Sequence, residues 1–175
     1  MGVLTGNAIA SAVSRGEIEI DPFERRQLNP NSYNVKLGGK LIVYTEKVLD
    51  VKTPNEYQYL DIPEAGIVLE PGRLYLGATV ERTWTEKYVP MIEGRSSLAR
   101  LGLFVHVSAG FGDIGFRGHW TLEFFAAHPI RIYRNTEIAQ VYFHTPEGKI
   151  DRLYTSRKYQ GNYGVQQSLS WFDYL

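Results

Sequence analysis

An all-β fold is expected for this chain, on three observations. Short runs rich in β-branched and aromatic residues recur along most of it: "EIEI", "SYNVKL", "KLIVYT", "IVLE", "LYLGATVERTW", "YVPMIE", "LFVHVS", "HWTLEFF", "IRIYR" and "AQVYFH". Turn-forming residues punctuate those runs, in "LNPN", "LGGK", "KTPNE", "IPEAG", "EPGR", "FGDIGFRG" and "TPEGK". Helical periodicity is nearly confined to one early segment. Many short strands at close spacing predict a sandwich or a barrel.

The elements follow in chain order. Residues 5–16, "TGNAIASAVSRG", predict a short N-terminal helix. Ala8, Ile9, Ala12 and Val13 share one face, and Gly16 is the stop. The strand-like runs begin immediately afterwards. Between "YVPMIE" and "LFVHVS", "SSLAR" predicts one or two helical turns ending at Gly102. The tail, residues 155–175, carries Gln, Gly and scattered aromatics without a steady period. It reads as a lid or as an arm that packs on another subunit. With no internal repeat and no linker, residues 1–175 are expected to form a single domain.

Composition narrows the function. Apolar residues make up 43% and charged residues 22%, ordinary for a globular domain, and 19 Lys and Arg balance 19 Asp and Glu. No global field favours a nucleic acid or an anionic membrane, so any phosphate recognition is local. The absence of cysteine removes disulfides, thiol nucleophiles and thiolate metal sites. No apolar run approaches the roughly 20 residues that span a bilayer. The first residues lack the basic region and apolar core of a signal peptide, so a cytoplasmic location is expected.

Two stretches carry the chemistry. In "EGRSSLARLGL", residues 93–103, two arginines and two serines surround the start of a short helix. Hydroxyls, free backbone N–H groups and Arg95 and Arg100 together make an anion site. The competing reading is a connector with solvated arginines. In "HVSAGFGDIGFRGHWTLE", residues 106–123, Asp113 lies in a glycine-rich turn. It either bonds its own backbone or accepts from a sugar hydroxyl. Strand alternation puts Trp120, Leu122 and Phe124 on one face and Thr121, Glu123 and Phe125 on the other. Large apolar groups on both faces predict a strand buried on both sides. Glu123 is then an exposed strand end, or a proton-transfer carboxyl with its pKa raised by burial.

The block "EGRSSLARLGLFVHVSAGFGDIGFRGHWTLE" closely resembles the centre of dCTP deaminases, members of the trimeric dUTPase superfamily. "LNPNSYNVKLGGKL" is similar to the family's N-terminal segment and "RKYQGNYG" to its tail; the match is weakest over residues 46–66. The resemblance implies a distorted β-barrel or jelly-roll and a homotrimer with active sites at subunit interfaces. It also implies dCTP as substrate and Mg²⁺ bound through the triphosphate rather than by side chains.

The implied roles carry over by position. Glu123 matches the catalytic glutamate, supported by Ser96 and Arg100. Arg95, Ser97 and Arg100 fall in the nucleotide-binding segment. Ala109 lies in the loop before Asp113, which matches the residue that holds the deoxyribose 3′-hydroxyl. Thr121 and Leu122 fall where the backbone reads the base. Gln140, Tyr154, Lys158 and Asn162 match further substrate contacts, with Lys158 closing on phosphate.

The residues fit that chemistry independently. Zinc deaminases of nucleobases use His and Cys ligands in an H-x-E and P-C-x-x-C pattern. This chain has no cysteine, and His106, His119, His128 and His144 show no zinc-ligand spacing. One carboxyl must then take a proton from water and return it to the base.

The reading is deamination of dCTP to dUTP and ammonia, supplying dUMP for dTMP synthesis. Three departures from the family pattern stand out. Ala109 is followed by Gly110 and Phe111, a pattern closer to bifunctional members that release dUMP and diphosphate. Ile114 replaces a Pro and Asn162 a Gln. The bifunctional enzyme is thus the alternative. A nucleotide-binding regulator without turnover is a further one, opposed by the intact set of Glu123, Ser96 and Arg100.

Overall fold

The computed structural model describes residues 2–175. Helix α1, Gly6–Ser14, is capped by the Thr5 side chain, which accepts from the Ala8 N–H at 3.3 Å. Ile9 and Ala12 are fully buried on its inner face, and Gly16, at φ 68°, turns the chain out of it.

Ten strands follow among the described residues: β1 (Ile18–Asp21), β2 (Tyr33–Tyr44), β3 (Tyr57–Asp61), β4 (Ile67–Leu69), β5 (Tyr75–Thr85), β6 (Val89–Gly94), β7 (Leu103–Val105), β8 (Arg117–Ala126), β9 (Ile130–Ile132) and β10 (Glu137–His144). Helix α2, Ser96–Ala99, links β6 to β7. Eight strands form one barrel-like sheet in the order β6-β10-β2-β5-β8-β7, with β1 added to β5 and β3 to β2; β4 and β9 form a separate pair. Every pairing is antiparallel. Tyr33, Leu37, Leu41, Phe124 and Phe143 are fully buried in the core that the sheet wraps.

The expected all-β class, the N-terminal helix and the short helix after β6 are all present. Three local expectations differ. "LGGK" is not a turn between two strands. β2 runs through Gly38 and Gly39, and its register against β5 shifts between Leu37 and Leu41. A Cβ on Gly38 would lie 3.2 Å from the Ala78 carbonyl, so the glycine permits a bulge and close backbone approach. "LFVHVS" is strand only to Val105, because His106 adopts φ 54° and turns the chain away. β3, absent from the sequence reading, pairs with the second half of β2.

β5 also carries a buried carboxyl. Glu81 is wholly inaccessible and accepts from Gln27 Nε2 at 2.8 Å and from the Lys36 backbone N–H at 2.8 Å. Burial pushes its pKa above the ordinary carboxylate value despite these bonds. No helix among the described residues is long and apolar enough to cross a membrane.

Candidate active site

A cavity of about 530 Å³ opens where β7 separates from β8. The parting is sharp. His106 N–H donates to the Glu123 carbonyl at 2.8 Å, and its left-handed backbone then sends the chain into the loop before β8. Beyond Glu123 the same edge of β8 meets the tail instead. His119 N–H donates to the Asn162 carbonyl at 3.0 Å, and Asn162 Nδ2 donates to the His119 carbonyl at 3.1 Å.

Backbone groups on a strand alternate between its two edges. The Thr121 N–H and C=O therefore face the cavity edge between these two anchors, while Leu122 pairs with Gly77 on the other side. One donor and one acceptor are thus presented together to the cavity. The Leu122 side chain is fully buried in the core, so only its backbone could take part in reading a base. The Thr121 hydroxyl accepts from the Gln166 N–H at 3.1 Å and ties the tail to the same strand.

The Glu123 carboxyl forms part of the cavity wall, with its side chain 34% exposed. The expectation of a strand buried on both faces is corrected here. Trp120, Leu122 and Phe124 are buried, but Phe125, on the Glu123 face, is 47% exposed. What confines the carboxyl is His106, which the sequence reading had placed inside a strand. Glu123 Oε2 lies 2.6 Å from His106 Nδ1, out of line with the ring N–H direction. Neither ring nitrogen of this buried histidine makes an aligned hydrogen bond among the described residues. A left-handed histidine is strained and unreadable from sequence; only its place before the glycine-rich turn hinted at it.

Ala109, Asp113, Tyr154 and Asn162 also line the cavity, as expected from their positions. The loop that carries Ala109 and Asp113 is pinned to β6; Tyr154 and Asn162 come from the tail. Ile92 N–H donates to the Gly110 carbonyl at 2.8 Å, and Gly112 N–H donates to the Pro90 carbonyl at 2.9 Å. A Cβ on Gly110 would fall 2.5 Å from the Ile92 carbonyl oxygen, so no larger residue fits without moving the loop. His119 and Phe116, not singled out beforehand, line the same wall. His119 Nδ1 sits 2.9 Å from the Thr79 carbonyl and must carry the proton to bond with it, which leaves Nε2 an acceptor when the ring is neutral.

The donor-rich turn lies elsewhere. Arg95, Ser96, Ser97 and Arg100 are not part of the cavity wall, and neither are Gln140 and Lys158. Arg95 occupies the cap position of α2, without a side-chain capping bond, so the two serines open the helix proper and remain exposed. Arg95 Nη1 is held by Glu137, 3.0 Å from its carbonyl and 3.2 Å from Oε2. Lys158 pairs with Asp173 at 2.5 Å, which raises the lysine pKa. Beside the donor turn, Phe104 and Phe125 face each other across β7 and β8, and both are exposed, as is Leu101.

Known proteins are similar to this chain over most of its length. A family profile described as dCTP deaminase-like matches residues 3–145. A Clostridium acetobutylicum protein named dCTP deaminase, dUMP-forming, is 55% identical over 173 residues, covering 99% of each chain. A Leptospira biflexa protein of the same name is 52% identical over 172 residues, covering 98% of each. Among solved structures, the 2′-deoxycytidine 5′-triphosphate deaminase of Agrobacterium tumefaciens superposes with a TM-score of 0.65 at 21% identity. It covers 83% of this chain, which spans 48% of that longer one, and the likeness supports the fold. The profile match over most of the chain, with near full-length relatives above half identity, establishes that the chain belongs to the dCTP deaminase-like family.

Proposed function

We propose that the protein deaminates dCTP and cleaves the triphosphate of the product, releasing ammonia, dUMP and diphosphate. The observation that carries this reading is the Glu123 carboxyl in the cavity wall, two residues from the open backbone edge of Thr121. The Thr121 C=O would accept from the cytosine 4-amino group and its N–H would donate to a ring acceptor. Glu123 would take a proton from water as the oxygen attacks C4 and give it to N3; it would then carry the proton left on the C4 hydroxyl to the amino group, so that the C4–N bond breaks, C4=O forms and ammonia leaves. A positioned carboxyl doing this work contributes roughly 10²–10⁴-fold in rate. Asp113, on the glycine-rich turn, would accept from the deoxyribose 3′-hydroxyl.

The dUMP-forming half rests on the relatives of that name and on the Ala109–Gly110–Phe111 segment, where the fold admits only glycine at position 110. The simpler product, dUTP, is the alternative outcome. Incubation with dCTP and Mg²⁺, followed by ion-exchange separation, is expected to give equal amounts of ammonia, dUMP and diphosphate. Accumulation of dUTP with stoichiometric ammonia would reject the second step, and binding without ammonia would reject both.

The donors Arg95, Ser96, Ser97 and Arg100 complete the site only if a second copy of the chain brings them to the Glu123 cavity. The exposed Leu101, Phe104 and Phe125 beside them supply an apolar surface for that contact. We read the assembly as a homotrimer, which light scattering at assay concentration tests directly. Among the described residues, no group of three or more His, Cys, Asp or Glu could hold a metal ion. A magnesium ion carried in by the nucleotide would be held through phosphate oxygens and would offset part of their charge.

Lys158 is the tail cation for phosphate in this reading, and Asp173 stands where an anionic ligand would be. A triphosphate must displace that carboxylate. Asp173→Asn is therefore expected to lower KM for dCTP by about two- to fivefold, as for a partly exposed charge pair. Lys158→Ala is expected to raise it. If neither substitution moves KM, Lys158 does not touch the phosphate.

A further inference from the structure

The turn "LNPNSYN", residues 28–34, lies outside the cavity, yet it is tied by hydrogen bonds to two candidate substrate residues. Asn29 Nδ2 donates to Asn34 Oδ1 at 2.7 Å. Asn34 Nδ2 donates to Glu137 Oε2 at 2.7 Å. The same Oε2 lies 3.2 Å from Arg95 Nη1, which also donates to the Glu137 carbonyl at 3.0 Å. A second branch runs from Ser32 Oγ to Gln140 Oε1 at 2.9 Å. The amide orientation is forced: a carboxylate can only accept, so the Asn34 nitrogen must face Glu137. Asn34 is buried, and Gln27 Nε2 holds its backbone carbonyl at 2.7 Å. The origin of the chain is therefore rigid, although its end at Arg95 is a third exposed.

Among the described residues, Arg95 uses only Nη1 in these bonds; Nε and Nη2 remain for a ligand. That is the edge with which a guanidinium takes two oxygens of a phosphate. We propose that Glu137 and Asn34 are positioning residues for Arg95, fixing the guanidinium before the nucleotide triphosphate arrives. A free arginine would lose its rotamer freedom on binding; one already anchored loses less, and affinity rises accordingly. The inference rests on the reading that Arg95 meets substrate phosphate.

The test is steady-state kinetics on dCTP for Arg95→Ala, Glu137→Ala, Glu137→Gln and the double variant Arg95→Ala/Glu137→Ala. Glu137→Ala is expected to raise KM about three- to tenfold with kcat within about twofold. Glu137→Gln, which can still accept from Arg95, is expected to recover part of the loss. In the Arg95→Ala background, Glu137→Ala is expected to change KM by less than about 1.5-fold, since its effect passes through the missing guanidinium. Glu137 is half-buried at the start of a strand, and a melting curve for each variant checks that the fold is kept; Asn34→Asp, which replaces the donor by an acceptor, is expected to raise KM in the same way. A fall in KM for Glu137→Ala would show that the carboxylate competes with phosphate, and would overturn the proposal. So would a KM effect of equal size in the double variant. Lack of ammonia release by the unaltered protein would instead reject the enzymatic reading, and an unchanged KM for Arg95→Ala would reject Arg95 as the phosphate residue.

Discussion

Glu123→Gln is expected to abolish deamination, lowering kcat by about 10²–10⁴-fold while leaving dCTP affinity within about tenfold. The amide keeps the shape of the side chain and its place beside His106, 2.6 Å away in the native protein. It also leaves the Glu123 carbonyl bonded to the His106 N–H, because that bond uses only the backbone. What it cannot do is carry a proton from water to the ring. Ammonia release measured beside calorimetric titration of dCTP separates the two effects. More than a few per cent of the native kcat in the amide variant would remove Glu123 from the centre of the reaction.

Arg100→Ala is expected to damage turnover and affinity together, by about 10²-fold or more in kcat/KM, the scale of losing a charge-assisted donor at a reacting centre. The residue is exposed at the end of α2 and pairs with no carboxylate among the described residues, so its removal should leave the melting temperature nearly unchanged. That separates a functional loss from a folding one. Arg100→Lys should recover only a part, because an ammonium cannot reproduce the planar fork of a guanidinium. Full activity in the lysine variant would reduce Arg100 to a generic positive charge.

Much of the fold was legible because local chemistry and global pattern agree. Ile9, Ala12 and Gly16 announce α1 at face and stop. The alternation of β8 put Trp120, Leu122 and Phe124 on one face, and that face lies in the core. Other features depend on contacts between distant residues. Gly38 and Gly39 look like a turn unless the approach of Ala78 is known. β3 alternates weakly, with Tyr59 more than half exposed, and is a strand because β2 offers it an edge.

The site divided in the same way. The residues of one strand and its adjoining loop, from Ala109 to Glu123, do converge on one cavity. His106 was missed because its role arises from a left-handed backbone that no spacing encodes. The donors of the α2 turn were found as a motif, but one chain alone does not carry them to the cavity.

That division bears on genetics. If each pocket takes Glu123 from one chain and Arg100 from its neighbour, two dead variants need not make a dead mixture. Chains carrying Glu123→Gln still bring a sound arginine, and chains carrying Arg100→Ala still bring a sound glutamate. Random co-assembly of the two in equal amounts would restore about a quarter of the pockets, those where a sound group from each chain meets. A cell with one allele of each kind would then grow where neither allele alone suffices.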